Sequence, residues 1–154
     1  MDSVQQVNSV RYAMVGLKLY NKMVHKLVHQ IQQSPKDFDV VVSILNGGRK
    51  LGHDISSALQ LPLRHVTISR YDGNDDKRTM PVIDAGSYNF SQWQNPLVVD
   101  DLVDDGITMR LFFNHFGPAK SAVLFYKLGT VPVADFFIDL KPNKWVVFPW
   151  EQQS

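Results

Sequence analysis

Val40-Val41-Val42-Ser43-Ile44-Leu45 constrains this chain more than any other segment. An unbroken β-rich run without polar alternation marks a strand covered on both faces, and such strands belong to parallel sheets flanked by helices. Asn46-Gly47-Gly48 follows as a turn, and Leu51, Ile55, Ala58 and Leu59 then recur at helical spacing. The alternation continues along the chain. Leu63 to Ser69 and Leu97-Val98-Val99 read as strands, and Met109, Phe112, Phe113 and Phe116 form a helical stripe closed by Gly117-Pro118. Ala122 to Tyr126 and Phe136 to Ile138 read as further strands, and Trp145 to Phe148 is a last apolar segment before Pro149. Upstream, residues 10–33 read as a helix with Tyr20, Met23, Val24, Leu27 and Ile31 on one stripe, ended by Ser34-Pro35. Residues 72–79 are polar and aperiodic, so a mobile loop is expected there. Strands alternating with helices imply an α/β fold, and ligands in such sheets sit outside the carboxyl ends of the strands. Chemistry is therefore to be sought after Leu45, Val99 and Tyr126.

A chain of 154 residues suits one domain, 1–154. Its net charge of +1 gives no broad electrostatic footprint for nucleic acid or a membrane surface. The absence of cysteine excludes disulfides and thiolate metal sites and fits a reducing, cytoplasmic setting. Met1 to Gln6 lack a basic region leading into an apolar run, so no signal peptide is expected. No stretch approaches the roughly 20 apolar residues of a membrane span. His25 and His29 stand four apart on the first helix, but no third ligand is apparent and a solvated face is expected.

The strand Leu97-Val98-Val99 runs into Asp100-Asp101-Leu102-Val103-Asp104-Asp105-Gly106-Ile107-Thr108, which places four carboxylates within six residues at a strand end. Carboxylates there can accept hydrogen bonds from sugar hydroxyls or hold Mg²⁺. The helix start that follows Gly106 offers unpaired N–H groups suited to a phosphate. A calcium loop fails on spacing, because Val103 and Phe112 stand where oxygen ligands are needed. The remaining plain reading is a solvated acidic turn capping a helix.

This stretch resembles the phosphoribosyl-pyrophosphate motif of the type I phosphoribosyltransferases: an apolar strand, two acidic residues, and an Asp-Thr/Ser-Gly-x-Thr loop. The resemblance implies that Asp100 and Asp101 hold the ribose hydroxyls, with Asp101 also near Mg²⁺. It implies that Asp104, Asp105, Gly106, Ile107 and Thr108 wrap the 5′-phosphate. In purine-specific members the residue matching Asp104 lies near N7 of the base as a proposed general base. Asp105 departs from the family's Thr or Ser. Either its carboxylate turns away from the phosphate or phosphate binding is weakened.

Other segments extend the resemblance. Asn46, Gly47 and Gly48 match the pyrophosphate loop, with Asn46 replacing a basic residue. The purine-specific relatives have a cis peptide at the place of Leu45–Asn46. Arg49 and Lys50 add positive charge next to the loop without matching its basic position. Lys127 matches a strand-end lysine that contacts O6 of the purine, Trp145 an aromatic that stacks on the base, and Val146 a carbonyl that reads the 2-position. Ser69-Arg70-Tyr71 resembles the start of the closing loop, with Arg70 in place of a serine. The tail Trp145-Val146-Val147-Phe148-Pro149-Trp150-Glu151 resembles the ending of the bacterial xanthine-guanine branch.

The resemblance implies a type I phosphoribosyltransferase fold: a mostly parallel central sheet of about five strands flanked by helices. The core would span about 36–140, with a hood from about 70–90 and the C-terminal 141–151. The implied reaction transfers 5-phosphoribosyl from phosphoribosyl pyrophosphate to guanine, xanthine or hypoxanthine, with Mg²⁺ as cofactor. A homodimer or homotetramer is implied, and no nucleic-acid or integral-membrane partner. Because Asn46, Arg70 and Asp105 all depart where substrate is touched, the alternative is the same fold acting as a nucleotide-binding regulator or a weak, altered-substrate transferase.

Overall fold

The computed structural model describes residues 5–7, 12–69 and 82–151. Its elements run β1 (Gln5–Val7), β2 (Tyr12–Met14), α1 (Leu17–Gln33), β3 (Val40–Leu45), α2 (Arg49–Leu59), β4 (Leu63–Ser69) and β5 (Val82–Asp84). They continue with β6 (Pro96–Val99), β7 (Leu102–Val103), α3 (Ile107–Phe116), β8 (Lys120–Ala122), β9 (Phe125–Tyr126), β10 (Asp139–Leu140) and β11 (Trp145–Val147).

The fold is α/β, around a five-stranded sheet ordered β5-β4-β3-β6-β8. All its pairings are parallel except β5 against β4. Strand β3 is central, with Val42 opposite Arg64 on one side and Val98 on the other. Successive strand side chains face opposite sides, which divides the core into two layers. Val41, Leu97 and Val99 pack with Tyr20, Met23, Leu27 and Ile31 of α1 and with Leu51 and Ile55 of α2. Val40, Val42, Ile44 and Val98 pack with Met109, Phe112 and Phe116 of α3. The burial of Val40 to Ile44 on both faces is what the uninterrupted apolar run dictates.

Three boundaries differ from the sequence reading. The first helix begins at Leu17, not at residue 10. Tyr12–Met14 form a strand instead, paired in parallel with Trp145–Val147, and the extended Gly16 at the helix start separates the two elements. The strand read at Ala122–Tyr126 is divided into β8 and β9. At the division Val123 N–H donates to Phe136 O and Leu124 N–H to Asp101 O, so the chain leaves β6 and pairs with β7. Phe136–Ile138 is not a strand either. Phe136 makes one isolated bridge to Ala122, and pairing resumes only at β10. Two small sheets result, β1-β2-β11 and β10-β9-β7. The loop expected at 72–79 lies outside the described residues. Of the hood segment 70–90, Val82–Asp84 extend the main sheet as its antiparallel edge.

Candidate active site

The loops after β3 and β6, at the carboxyl end of the main sheet, meet the loop after β9, a strand of the small β10-β9-β7 sheet. After β3 the Leu45–Asn46 peptide is cis and leads into Gly47-Gly48. A Cβ on Gly47 would lie 2.8 Å from Asp101 Oδ2, so only glycine lets this turn close on the acidic pair. Asp100 Oδ1 accepts from Asp101 N–H at 2.9 Å, and Asp101 Oδ1 accepts from Leu102 N–H at 2.7 Å. Burial pushes the Asp100 carboxyl well above the ordinary carboxylate range, and the Asp101 charge beside it pushes the same way. Burial raises Asp101 as well.

Residues 100–106 with Thr108 and Met109 line a cup of about 190 Å³. Gly106 turns the chain into α3 at φ +78°, and a Cβ there would lie 2.5 Å from Val131 O. Asp105 settles one question the sequence left open. Its Oδ1 accepts from Ile107 N–H at 3.0 Å, so the side chain turns onto the first turn of α3 rather than outward. The guanidinium of Arg110 donates to the Asp105 carbonyl at 3.3 Å. A carboxylate is thus seated on one of the amides that the sequence assigned to an anion.

Next to this cup is a larger cleft of about 720 Å³, to which Asp101, Asp104, Lys127, Lys141, Trp145 and Glu151 contribute. Asp104 Oδ1 lies 3.8 Å from Lys127 Nζ and 3.7 Å from Lys141 Nζ. Trp145 is 69% exposed, so it forms a wall of the cleft and not part of the core. Val146 is buried beside it. Val15 N–H donates to Val147 O, which in a parallel ladder directs the Val146 carbonyl to the edge facing away from β2. Arg70 and Tyr71 lie outside the described residues. His25 and His29 are both exposed on α1.

Lys141 was not visible in the sequence as a site residue. It follows β10, its Nζ also donates to the carbonyls of Pro142 and Lys144 at 3.2 and 3.4 Å, and its side chain is only 16% exposed. Its one sequence signal is a lysine at the end of a short apolar segment, before a proline. Glu151 was seen as part of the tail but not as a site residue. It accepts from Phe148 N–H at 3.0 Å and turns towards the Asp101 side of the cleft.

Beside the glycine turn a third cleft, of about 560 Å³, is bordered by Asn46, Arg49, Lys50, His53, His65 and Trp150. Arg49 Nη2 donates to Asn46 Oδ1 at 3.4 Å. Lys50 Nζ lies 3.1 Å from Asp54 Oδ2, which also accepts from Tyr20 OH at 2.6 Å.

The family described as the phosphoribosyl transferase domain matches residues 17–153. A xanthine-guanine phosphoribosyltransferase of Gluconobacter oxydans is 26% identical over 156 residues, covering 98% of this chain and 91% of that protein. Among solved structures, a xanthine-guanine-hypoxanthine phosphoribosyltransferase of Helicobacter pylori superposes with TM-score 0.77 at 23% identity, covering 92% of this chain and 95% of that one. A hypothetical protein of Neisseria gonorrhoeae with bound ppGpp superposes with TM-score 0.76 at 18% identity, covering 96% and 93%. No helix among the described residues is long and apolar enough to cross a membrane.

Proposed function

The chain belongs to the phosphoribosyl transferase domain family, and from that premise we propose that it moves 5-phosphoribosyl from phosphoribosyl pyrophosphate to a 6-oxopurine, forming a purine nucleoside monophosphate and pyrophosphate in purine salvage. The observation that carries this reading is the cleft that joins Asp104, Lys127, Lys141 and Trp145 to the acidic pair. A planar base needs a stacking surface, and Trp145 is an exposed aromatic at the cleft wall. Its exocyclic oxygen needs a donor, and Lys127 is an ammonium 3.8 Å from Asp104. The 2-position faces the Val146 carbonyl. Asp100 and Asp101 take the ribose hydroxyls, and residues 104–108 surround the 5′-phosphate.

In the reaction a purine ring nitrogen bonds to C1′ as the C1′–O bond to pyrophosphate breaks. Asp104 accepts the proton that the base loses at N7. Lys127 and Lys141 both pair with its Oδ1 and hold it in place, and Lys141 is itself anchored by two carbonyls. By the resemblance, Arg70 and Tyr71 would begin a closing loop, whose role is to exclude water from the cationic sugar.

The donor set fits Mg²⁺. Among the described residues no three acidic or histidine side chains converge on a metal. Mg²⁺ seldom needs such a cage, because it keeps waters and binds through one or two carboxylates plus substrate phosphates. Asp101 supplies such a carboxylate, and Asp100 is beside it. When bound, the ion offsets the charge of the donor's pyrophosphate. A cytoplasmic homodimer or homotetramer, without nucleic-acid partners, completes the reading.

The test is release of pyrophosphate from phosphoribosyl pyrophosphate and Mg²⁺ with guanine, xanthine and hypoxanthine in turn. Absence of release with every base would overturn the reading. A second reading, a nucleotide-binding regulator or altered-substrate transferase, draws on the Asp105 carboxylate seated on Ile107 N–H. It expects weak binding of a nucleoside 5′-monophosphate.

A further inference from the structure

We infer that Arg49 holds the leaving pyrophosphate, in the cleft between α2 and β4, and so supplies the charge that Asn46 does not. This inference rests on the phosphoribosyl-transfer reading and adds to it a residue outside the matched motif. Three observations carry it.

Arg49 reaches the right place. It is the first residue of α2, three positions after Asn46, and its Nη2 already touches the Asn46 side chain at 3.4 Å. A guanidinium arriving from position 49 therefore lies against the side chain at 46, beside the glycine turn. Arginine also presents a planar fork of donors that matches phosphate oxygens in pairs.

Arg49 is uncommitted, and its neighbour is not. Lys50 is bound to the Asp54 carboxylate at 3.1 and 3.2 Å, and Tyr20 OH donates to the same group. Arg49 makes no ion pair among the described residues. Lys127 and Lys141, on the base side, are both paired with Asp104.

The cleft lacks an anion. Arg49, Lys50, His53 and His65 line it with no carboxylate among the lining residues. His65 Nδ1 is buried without a hydrogen-bond partner among the described residues. The positive charge of Arg49, acting after burial, lowers the His65 pKa. With no carboxylate on the lining, a pyrophosphate would supply the counter-charge that Arg49 lacks there.

The experiment is calorimetric titration of inorganic pyrophosphate, at fixed Mg²⁺, into wild type, Arg49→Ala, Lys50→Ala and the double variant Asn46→Arg/Arg49→Ala. Charge-assisted hydrogen bonds of this kind make Arg49→Ala bind roughly tenfold or more weakly. Lys50→Ala should change affinity far less, because its charge is already matched. Restoring a guanidinium at position 46 should recover most of the loss. In turnover, Arg49→Ala should raise KM for phosphoribosyl pyrophosphate and leave KM for the base unchanged. Equal pyrophosphate affinity in wild type and Arg49→Ala overturns the inference, as does a larger loss in Lys50→Ala. Wild type that binds guanosine monophosphate but not pyrophosphate overturns it alone. Wild type that binds neither overturns the phosphoribosyl-transfer reading as well.

Discussion

Replacing Asp105 by threonine removes a carboxylate from the proposed seat of the 5′-phosphate while leaving the turn around Gly106 intact. The Asp105 Oδ1 is 3.0 Å from Ile107 N–H, so a phosphate bound at the start of α3 meets a like charge at close range. Two unit charges about 4 Å apart at an effective dielectric near 20 repel by roughly 4 kcal/mol. Asp105 is exposed, and solvent reduces such terms to about 1 kcal/mol in many surface pairs. A gain of about 1–2 kcal/mol, roughly fivefold to thirtyfold in affinity for guanosine 5′-monophosphate, is therefore expected. Stability moves the other way. A carboxylate at a helix N-terminus contributes about 0.3–1 kcal/mol, part of which threonine retains by capping. Calorimetric titration and thermal unfolding on the same protein read both signs. Asp105→Asn separates charge from hydroxyl: it keeps an acceptor for Ile107 N–H and should show most of the gain. Guanosine, lacking the phosphate, should bind wild type and both variants equally. The gain should also shrink as salt rises. Unchanged monophosphate affinity in both variants would refute the electrostatic argument, and with weak wild-type binding it would favour the regulator reading.

Three further outcomes are expected. Asp100→Asn with Asp101→Asn should abolish phosphoribosyl transfer and keep the fold; near-wild-type turnover would remove both residues from the ribose site. Trp145→Ala should cost about 1–3 kcal/mol of base binding with little loss of thermal stability, because the ring is 69% exposed; a collapse of stability with unchanged base affinity would return the ring to a structural role. His65 carries a pKa lowered from 6.5, so the native state binds fewer protons than the unfolded one. The stability this provides is complete above pH 6.5 and declines as pH falls through the lowered value. Arg49→Ala should raise the His65 pKa in an NMR titration, and a static pKa would show that burial alone sets it.

Val40–Leu45, its glycine turn and the acidic strand end were legible because each is a local pattern: continuous burial, a tight turn, carboxylates next to a helix start. What the sequence did not disclose depends on distant partners. Tyr12–Met14 are a strand because Gln5–Val7 and the distant Trp145–Val147 lie on either side, and no periodicity within 10–33 records that. Ala122–Tyr126 reads as one apolar run, yet its hydrogen bonds pass to Asp101 and Phe136 in the middle. Lys141 acquires its place from Asp104, far away in the chain. The residue type at 105 was plainly unusual, but the direction of its side chain depends on how Gly106 turns the helix entrance.

The division between β8 and β9 bears on how this protein can change over generations. Because β9 pairs with β7 and β10 rather than with the main sheet, one small ladder carries the entrance to residue 104, the exit to Lys127 and the exit to Lys141. The loops that carry residue 104, Lys127 and Lys141 are thereby mounted on a common chassis. A mutation that shifts one shifts the others, so this side of the cleft resists piecemeal adaptation. Trp145 and Val146 belong to a different ladder, built on β2. Under the proposed function, new base preferences are accordingly expected to arise at that wall, where a substitution leaves the ladder of residue 104, Lys127 and Lys141 in place.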